Sequence, residues 1–399
     1  MYVVKIINDG VVTEIHNDIE KLGSGKVVKG INTIDSFTFS INPMNVGFDL
    51  LKEYKTYVKV ENVNKSRTEF YGRVLSTSVE MESSGMISKT VTCESILGLL
   101  HDSQQWYVEE RNWSVVGLLD HIISAHNLCV GYDEKEFKYN SGTVYNANET
   151  IFCEIPRDTS FNVLKENLLD AMGGEVRVYD DGDFFRIDYV KQIGEVKTTK
   201  IELSRNMKAI TRERDPSDIV TRLIPLGAKE KDSERRLTLK GYGHEHEFKN
   251  VNIYVLDLNA EKQYGVRVGY KIWDDITDPS VLSYVASNWM HNNSRVLVKY
   301  SITTVDLFLL GLDIDDFEVG NTHPIVNPLL GIEDTARIIK KTIDILDETK
   351  STIEIGDKFK TMSEIQRDQK KEAAASTYTK SEIVSDVIEA LPTWRGGSY

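Results

Sequence analysis

Apolar and polar residues alternate with period two through much of this chain, most cleanly near its C-terminal end. In residues 318–357, Ile339, Ile343 and Ile345 fall on one face of a strand, with Lys340, Thr342 and Asp344 on the other. Ile353 and Ile355 alternate with Thr352 and Glu354 in a second. The pattern predicts a half-buried antiparallel hairpin, one face on a core and one in water. An odd-length turn around Asp347–Ser351 then sets Ile345 opposite Ile353 and Ile343 opposite Ile355. Gly320, Pro324 and Pro328 break the chain before it.

Upstream, residues 1 to about 100 read as short strands: YVVKII, GVVTEI, SFTFSI, YVKVE, EFYGRVLSTSVEMES and SKTVTCES, with Gly, Asn and Asp turns between them. This spacing suggests an antiparallel barrel or sandwich. From 101 to 206 the period changes. Ser114 caps a helix with an apolar stripe of Val115, Leu118, Leu119, Ile122 and Ile123, and a second helix starts at Asp158 or Thr159 and stops at Gly173-Gly174. The hairpin EVRVY/FFRIDYV follows. Strands return over 207–230. Residues 231–296 are more polar, with a strand NIYVLDL and a helix that Asp278 and Pro279 begin, striped by Leu282, Val285 and Trp289. The run VLVKYSITTVDLFLL leads back to the hairpin. Beyond it, Ser381 caps a short amphipathic helix whose Ile383, Val387 and Leu391 face one way. That face either docks on its own domain or forms a self-association seam. Its polar side carries Glu382, Asp386 and Glu389, which argues against a membrane surface.

Composition changes this picture little. The 399 residues imply two or three domains, and 40% hydrophobic with 28% charged residues is ordinary for a globular chain. No run reaches the length needed to span a bilayer, and MYVVKIINDG is a first strand rather than a signal peptide, so synthesis in the cytoplasm is expected. Cys93, Cys129 and Cys153 are far apart and read as free thiols. The net charge of −14 disfavours a grip on nucleic acid, yet suits a channel through which nucleic acid slides.

Catalytic signatures are missing. There is no GxSxG elbow, no Walker loop and no GxGxxG between a strand and a helix. His244 and His246 alternate on one side of a strand and are weak candidates for a shared metal, a solvated loop being the plainer reading. Asp313 and Asp315, with Asp316 and Glu318, resemble a calcium loop without its glycine and final glutamate. No cofactor is expected. Trp106, Trp113 and Trp394 are candidate sugar-stacking residues for a carbohydrate-binding adhesion module, with buried anchoring as the alternative.

Three short motifs carry a resemblance. A strand with Thr221 enters the Leu-x-Pro-x-Gly turn ending at Gly227, a Val319-Gly320 turn follows, and the closing hairpin ends Ile-x-Ile-Gly-Asp at Ile353–Asp357. In this order they resemble the tail-tip or baseplate hub proteins of phages and prophages of Gram-positive bacteria, known as tail-associated lysins or prophage endopeptidase tail proteins. The resemblance spans about residues 1 to 357.

It implies a mainly β fold with α+β insertions, built as two small antiparallel β-barrels, the second discontinuous, with peripheral mixed domains. Residues 1–100 would be the first barrel and 101–206 a peripheral α+β domain. Residues 207–236 with 297–357 would form the second barrel, its core holding Ile339, Ile343, Ile345, Ile353 and Ile355. Residues 237–296 would be an insertion and 358–399 a helical extension. By similarity to the hub of contractile tails, the implied assembly is a homotrimer in the virion, at the tip of a non-contractile tail. There it would adapt sixfold to threefold symmetry and gate the channel. The implied partners are a distal tail protein, other baseplate proteins and the tape-measure protein, with DNA passing through the lumen. Only 42 residues follow Asp357, so no terminal hydrolase domain is expected. A peptidoglycan hydrolase is the alternative function.

Overall fold

The computed structural model describes residues 1–130, 136–139, 143–148, 150–155, 157–182, 184–203, 205–229, 235–242, 248–273, 276–304 and 315–357. The opening strands are β1 (Tyr2–Asn8), β2 (Val11–His16), β3 (Ser24–Gly30), β4 (Ser36–Ile41), β5 (Tyr57–Asn62), β6 (Arg67–Met81) and β7 (Ile87–Ser95). Asp9 and Gly10 both have positive φ (48° and 78°), the geometry of a tight hairpin turn whose twist matches its strands. A 3-10 turn (Ile96–His101) leads to β8 (Val108–Ser114), α1 (Val115–Val130), β9 (Phe137–Lys138) and β10 (Thr150–Ile155). Then α2 (Ser160–Val163), a π-helical turn (Leu164–Leu169) and α3 (Asp170–Met172) run on without a break. Thr159 caps the start by accepting from the Asn162 amide at 3.2 Å, and Gly173, at φ 75°, ends it. The strands β11 (Glu175–Asp180), β12 (Phe185–Val190), β13 (Ile201–Glu202) and β14 (Met207–Asp215) follow. After them come β15 (Arg222–Leu226), β16 (Lys249–Val251), β17 (Tyr254–Leu256), α4 (Leu258–Tyr264), β18 (Val268–Ile272) and α5 (Pro279–Asn293). The last strands are β19 (Leu297–Thr304), β20 (Thr322–Asn327), β21 (Ile332–Asp344) and β22 (Thr352–Gly356).

The described chain divides into two units, residues 1–212 with 300–356, and residues 213–299 with Asp357. The first unit is organised on one sheet in the order β14–β19–β22–β21–β3–β4–β7–β6–β5–β1–β2, with β20 and β13 added beside β21. Strands expected as two barrels therefore lie in one continuous sheet, and no pairing closes β2 back onto β3 among the described residues. The N-terminal part is nonetheless curled. Val4 and Ile6 of β1, Phe37 and Phe39 of β4, and Val91 of β7 meet in one core, which a flat sheet of strands about 4.8 Å apart could not arrange. A second core in this unit joins α1, the α2–α3 stretch and the sheet β11–β12–β9.

The C-terminal hairpin forms, with a different register. Ile355 lies opposite Ile338 and Ile353 opposite Lys341, rather than opposite Ile343 and Ile345. Two causes combine. The link from Ile345 to Ser351 contains a 3-10 turn, and a bulge between Ile338 and Lys340 inserts Ile339 as an extra residue. The bulge reverses the phase, so Ile338 is fully buried and Ile339 only half-buried. Beyond it β21 pairs with β3, which carries Ile343 and Ile345 into the core of β1–β7, while Ile353 and Ile355 are buried on β22.

The second unit is a four-stranded sheet, β16–β17–β15–β18, with Leu223 and Val255 packed against Leu282, Ala286 and Met290 of α5. Asp278 caps α5, accepting from Ser280 N at 2.7 Å and Val281 N at 3.2 Å, with Pro279 in the first turn. The strand read through NIYVLDL stops at Leu256, because Asp257 caps α4 by accepting from Asn259 and Ala260 amides at 3.0 and 2.9 Å.

Candidate functional site

Charged side chains in the first unit converge where β3, β6 and β21 meet the 315–319 stretch. Arg67 Nη2 donates to Glu69 Oε1 and to Glu318 Oε1, both at 2.6 Å, and its Nη1 donates to Asp316 at 2.9 Å. Lys341 Nζ donates to Glu318 Oε1 at 2.6 Å, and Lys29 stands 3.5 Å from Glu69 and 3.8 Å from Glu318. Burial alone would raise the Glu318 carboxyl pKa. The charges of Lys341, Lys29 and Arg67 override it and hold the group far below the usual carboxylate range. Burial works against the Arg67 cation too, and Glu318 and Glu69 more than restore it. These charges are spent on one another. They fasten three strands from distant parts of the sequence.

A second tie joins β11 to β21. Arg337 makes a two-pronged pair with Glu175, its Nη2 to Oε2 at 2.6 Å, and its Nε donates to the Gly320 carbonyl at 2.8 Å. The two backbones nearly touch here. A Cβ on Gly194 would sit 2.2 Å from the Gly320 carbonyl carbon, and both glycines have positive φ, 79° and 94°.

Between these ties lies a cleft of about 410 Å³. Lys29, Asp35, Glu69, Tyr71, Val178 and Glu318 are among its walls. Asp35 Oδ1 accepts from the Gly30 amide at 3.0 Å. Burial pushes its pKa up to about 6, against a smaller lowering by Lys29 and the Gly30 amide. The same wall thus holds one carboxylate surrounded by cations and one nearly alone.

One arrangement has the parts of a nucleophile and base. Ser103 Oγ lies 2.7 Å from His126 Nδ1 and 2.6 Å from Ser160 Oγ, and Gln105 Nε2 donates to Ser160 Oγ at 2.6 Å. All four residues are at most 1% exposed, so no substrate reaches them, and the network joins α1 and α2 to the segment before β8. His323 is likewise buried. Its Nδ1 lies 2.9 Å from the Thr199 carbonyl, its Nε2 has no hydrogen-bond partner among the described residues, and burial lowers its pKa.

With this geometry in view, comparison with known proteins is informative. Residues 195–366 match the model of the family described as prophage endopeptidase tail. The fold is similar to the prophage tail protein gp18 of Listeria monocytogenes EGD-e (TM-score 0.58, 14% identity, 92% of this chain and 98% of that one). It is also similar to the tail protein of Neisseria meningitidis MC58 (0.59, 13%, 89% and 96%). A third likeness is to the 43 kDa tail protein of prophage MuSo2 from Shewanella oneidensis (0.59, 12%, 89% and 98%). The chain is thus similar to phage tail proteins, in sequence over residues 195–366 and in fold over most of its length. No curated protein matches this chain by sequence.

The residues singled out in the sequence fall in different places. His244, His246, Asp313, Trp394 and the helix face of Ile383, Val387 and Leu391 lie outside the described residues. Asp315 Oδ2 accepts from the amides of Thr198 and Thr199 at 3.1 and 3.0 Å and from both hydroxyls. Among the described residues no three His, Cys, Asp or Glu side chains converge as metal ligands. Trp106 is 71% exposed, while Trp113 packs edge-on against His121 at 5.0 Å. Sequence reading passed over Lys341, although it shares the face of Ile343. A lone cation on a core-facing strand position implies a buried anion, and that anion is Glu318.

Proposed function

We propose that this chain is a structural component of a phage tail, a hub at the distal tip of a non-contractile tail. It acts as a homotrimer that adapts the sixfold tube to threefold symmetry and gates the DNA channel during host attachment. The observation that supports this most is the spending of ionisable chemistry on joints. The Glu318 cluster, the Arg337–Glu175 pair and the Ser103–His126 network each bind segments of chain together instead of facing a substrate. A part that transmits load needs such joints; an enzyme needs some of these groups free. In this reading the curled strands of residues 1–100 form the first part of the ring, and β14 with β19–β22, continuous with them in one sheet, the second. The partners are a distal tail protein, other baseplate proteins and the tape-measure protein. The net charge of −14 leaves passing DNA unbound.

Light scattering and negative-stain microscopy test the assembly. A threefold ring is expected from the purified chain, alone or with a distal tail protein; a monomer under both conditions sinks the proposal. Cell-wall zymography tests the hydrolase alternative, and no clearing is expected. Clearing that His244→Ala and His246→Ala abolish would favour the hydrolase instead.

A further inference from the structure

The small sheet of the first unit ends on an open edge that runs along the cleft. Among the described residues β11 pairs with β12 on one side only, in the order β11–β12–β9. The Val176 amide turns away from β12 and donates to Asn32 Oδ1 at 3.0 Å, while Asn32 Nδ2 donates to the Gly174 carbonyl, also at 3.0 Å. One carboxamide thus makes the two bonds that a neighbouring strand would make. Alternation along the strand turns the amides of Val178 and Asp180 the same way. Both residues line the cleft of about 410 Å³, and neither outward amide meets another backbone group among the described residues. The segment EVRVYD carries no proline or lysine, two of the usual means of blunting an exposed edge.

Charge around this edge is unevenly settled. Lys29 faces Glu69 at 3.5 Å, Lys59 faces Glu61 at 3.1 Å and Arg177 faces Asp188 at 2.7 Å. Asp35 and Asp180 accept only backbone amides, from Gly30 at 3.0 Å and Gly182 at 2.9 Å, and have no ion pair among the described residues. The charge left over is negative.

We propose that the cleft receives an extended peptide as a fourth strand on β11, with a lysine or arginine side chain of that peptide reaching Asp35. Main-chain hydrogen bonds to Val178 and Asp180 supply affinity, and the cation selects the sequence. Asn32 holds the first rung of the ladder in place before the peptide arrives. The site does not depend on the trimer proposed above.

The test uses the full chain and a dye-labelled pentapeptide, acetyl-Thr-Val-Lys-Val-Thr-amide, followed by fluorescence anisotropy. Two controls accompany it, one with Glu in place of Lys and one N-methylated at alternate amides. Binding is expected to fall about tenfold for the Glu peptide and for Asp35→Asn, the scale of one charge-assisted hydrogen bond, and to vanish for the N-methylated copy. Asp35→Asn keeps the acceptor for the Gly30 amide and so keeps the fold. Val178→Pro removes only an outward amide, is tolerable at an edge, and should abolish binding with an unchanged circular dichroism spectrum. No binding up to about 1 mM, equal binding of the N-methylated copy, or indifference to Asp35→Asn overturns the proposal. So does peptide binding that only splits an oligomer, because a second copy would then be the occupant.

Discussion

Glu318 and Asp35 line the same cleft, yet their surroundings drive them in opposite directions. Glu318 is held ionised by Lys341, Lys29 and Arg67, and Asp35 is pushed up to about 6 by burial that Lys29 and one amide only partly offset. The lesson is that burial does not decide a carboxylate's character; the number of cations brought to it does. The first group is a rivet. The second is available for a partner.

The largest test of this contrast removes the rivet. Glu318→Ala leaves Lys341 and Arg67 with a buried excess of positive charge and should cost about 3–5 kcal/mol in urea unfolding. Asp35→Asn should do the reverse. The upward displacement from 3.8 to about 6 means that the folded state disfavours the carboxylate. Stability is therefore lost as pH rises through that window and stays lost above it, so the substitution should stabilise by about 2–3 kcal/mol at pH 7 and by almost nothing at pH 4. Wild type and Asp35→Asn compared at both values would settle the sign.

His323 sharpens the contrast with a base. Its folded pKa is lowered from 6.5, so the unfolded chain takes up the proton first and stability falls as pH drops below about 6.5. His323→Gln should flatten that part of the melting-temperature profile. The smallest effect belongs to an exposed pair, Lys165 and Asp170, 2.9 Å apart with the Asp170 side chain 47% exposed. Asp170→Ala should change stability by less than about 1 kcal/mol, because water and salt already screen the pair.

Local physics made much of the fold legible. The alternation in β21 and β22 and the caps at Ser114, Thr159 and Asp278 all act within a few residues, and each yields the expected element. What escaped depends on distance along the chain. Nothing near Ile343 announces that it packs with Phe37 and Val91, and nothing in the sequence around Ile339 marks it as the bulge that reverses the phase. α4 was hidden because Asp257 lies inside a run that reads as strand until its capping role is seen. The Glu318 cluster draws on positions from 29 to 341, a spacing that no motif records, and Lys341 alone gave a hint. Asp35 had no local signature, since its environment is made by strands far from it.

The pairing of β21 with β3 also bears on how the protein is made. β3 ends at Gly30, but the strand that covers its free side begins to arrive only with Lys340. On the ribosome, the N-terminal strands must therefore wait for most of the chain before their core receives Ile343 and Ile345. A nascent or prematurely terminated chain would present β3 as a sticky edge throughout that interval, so correct assembly depends on finishing synthesis before neighbouring chains find it.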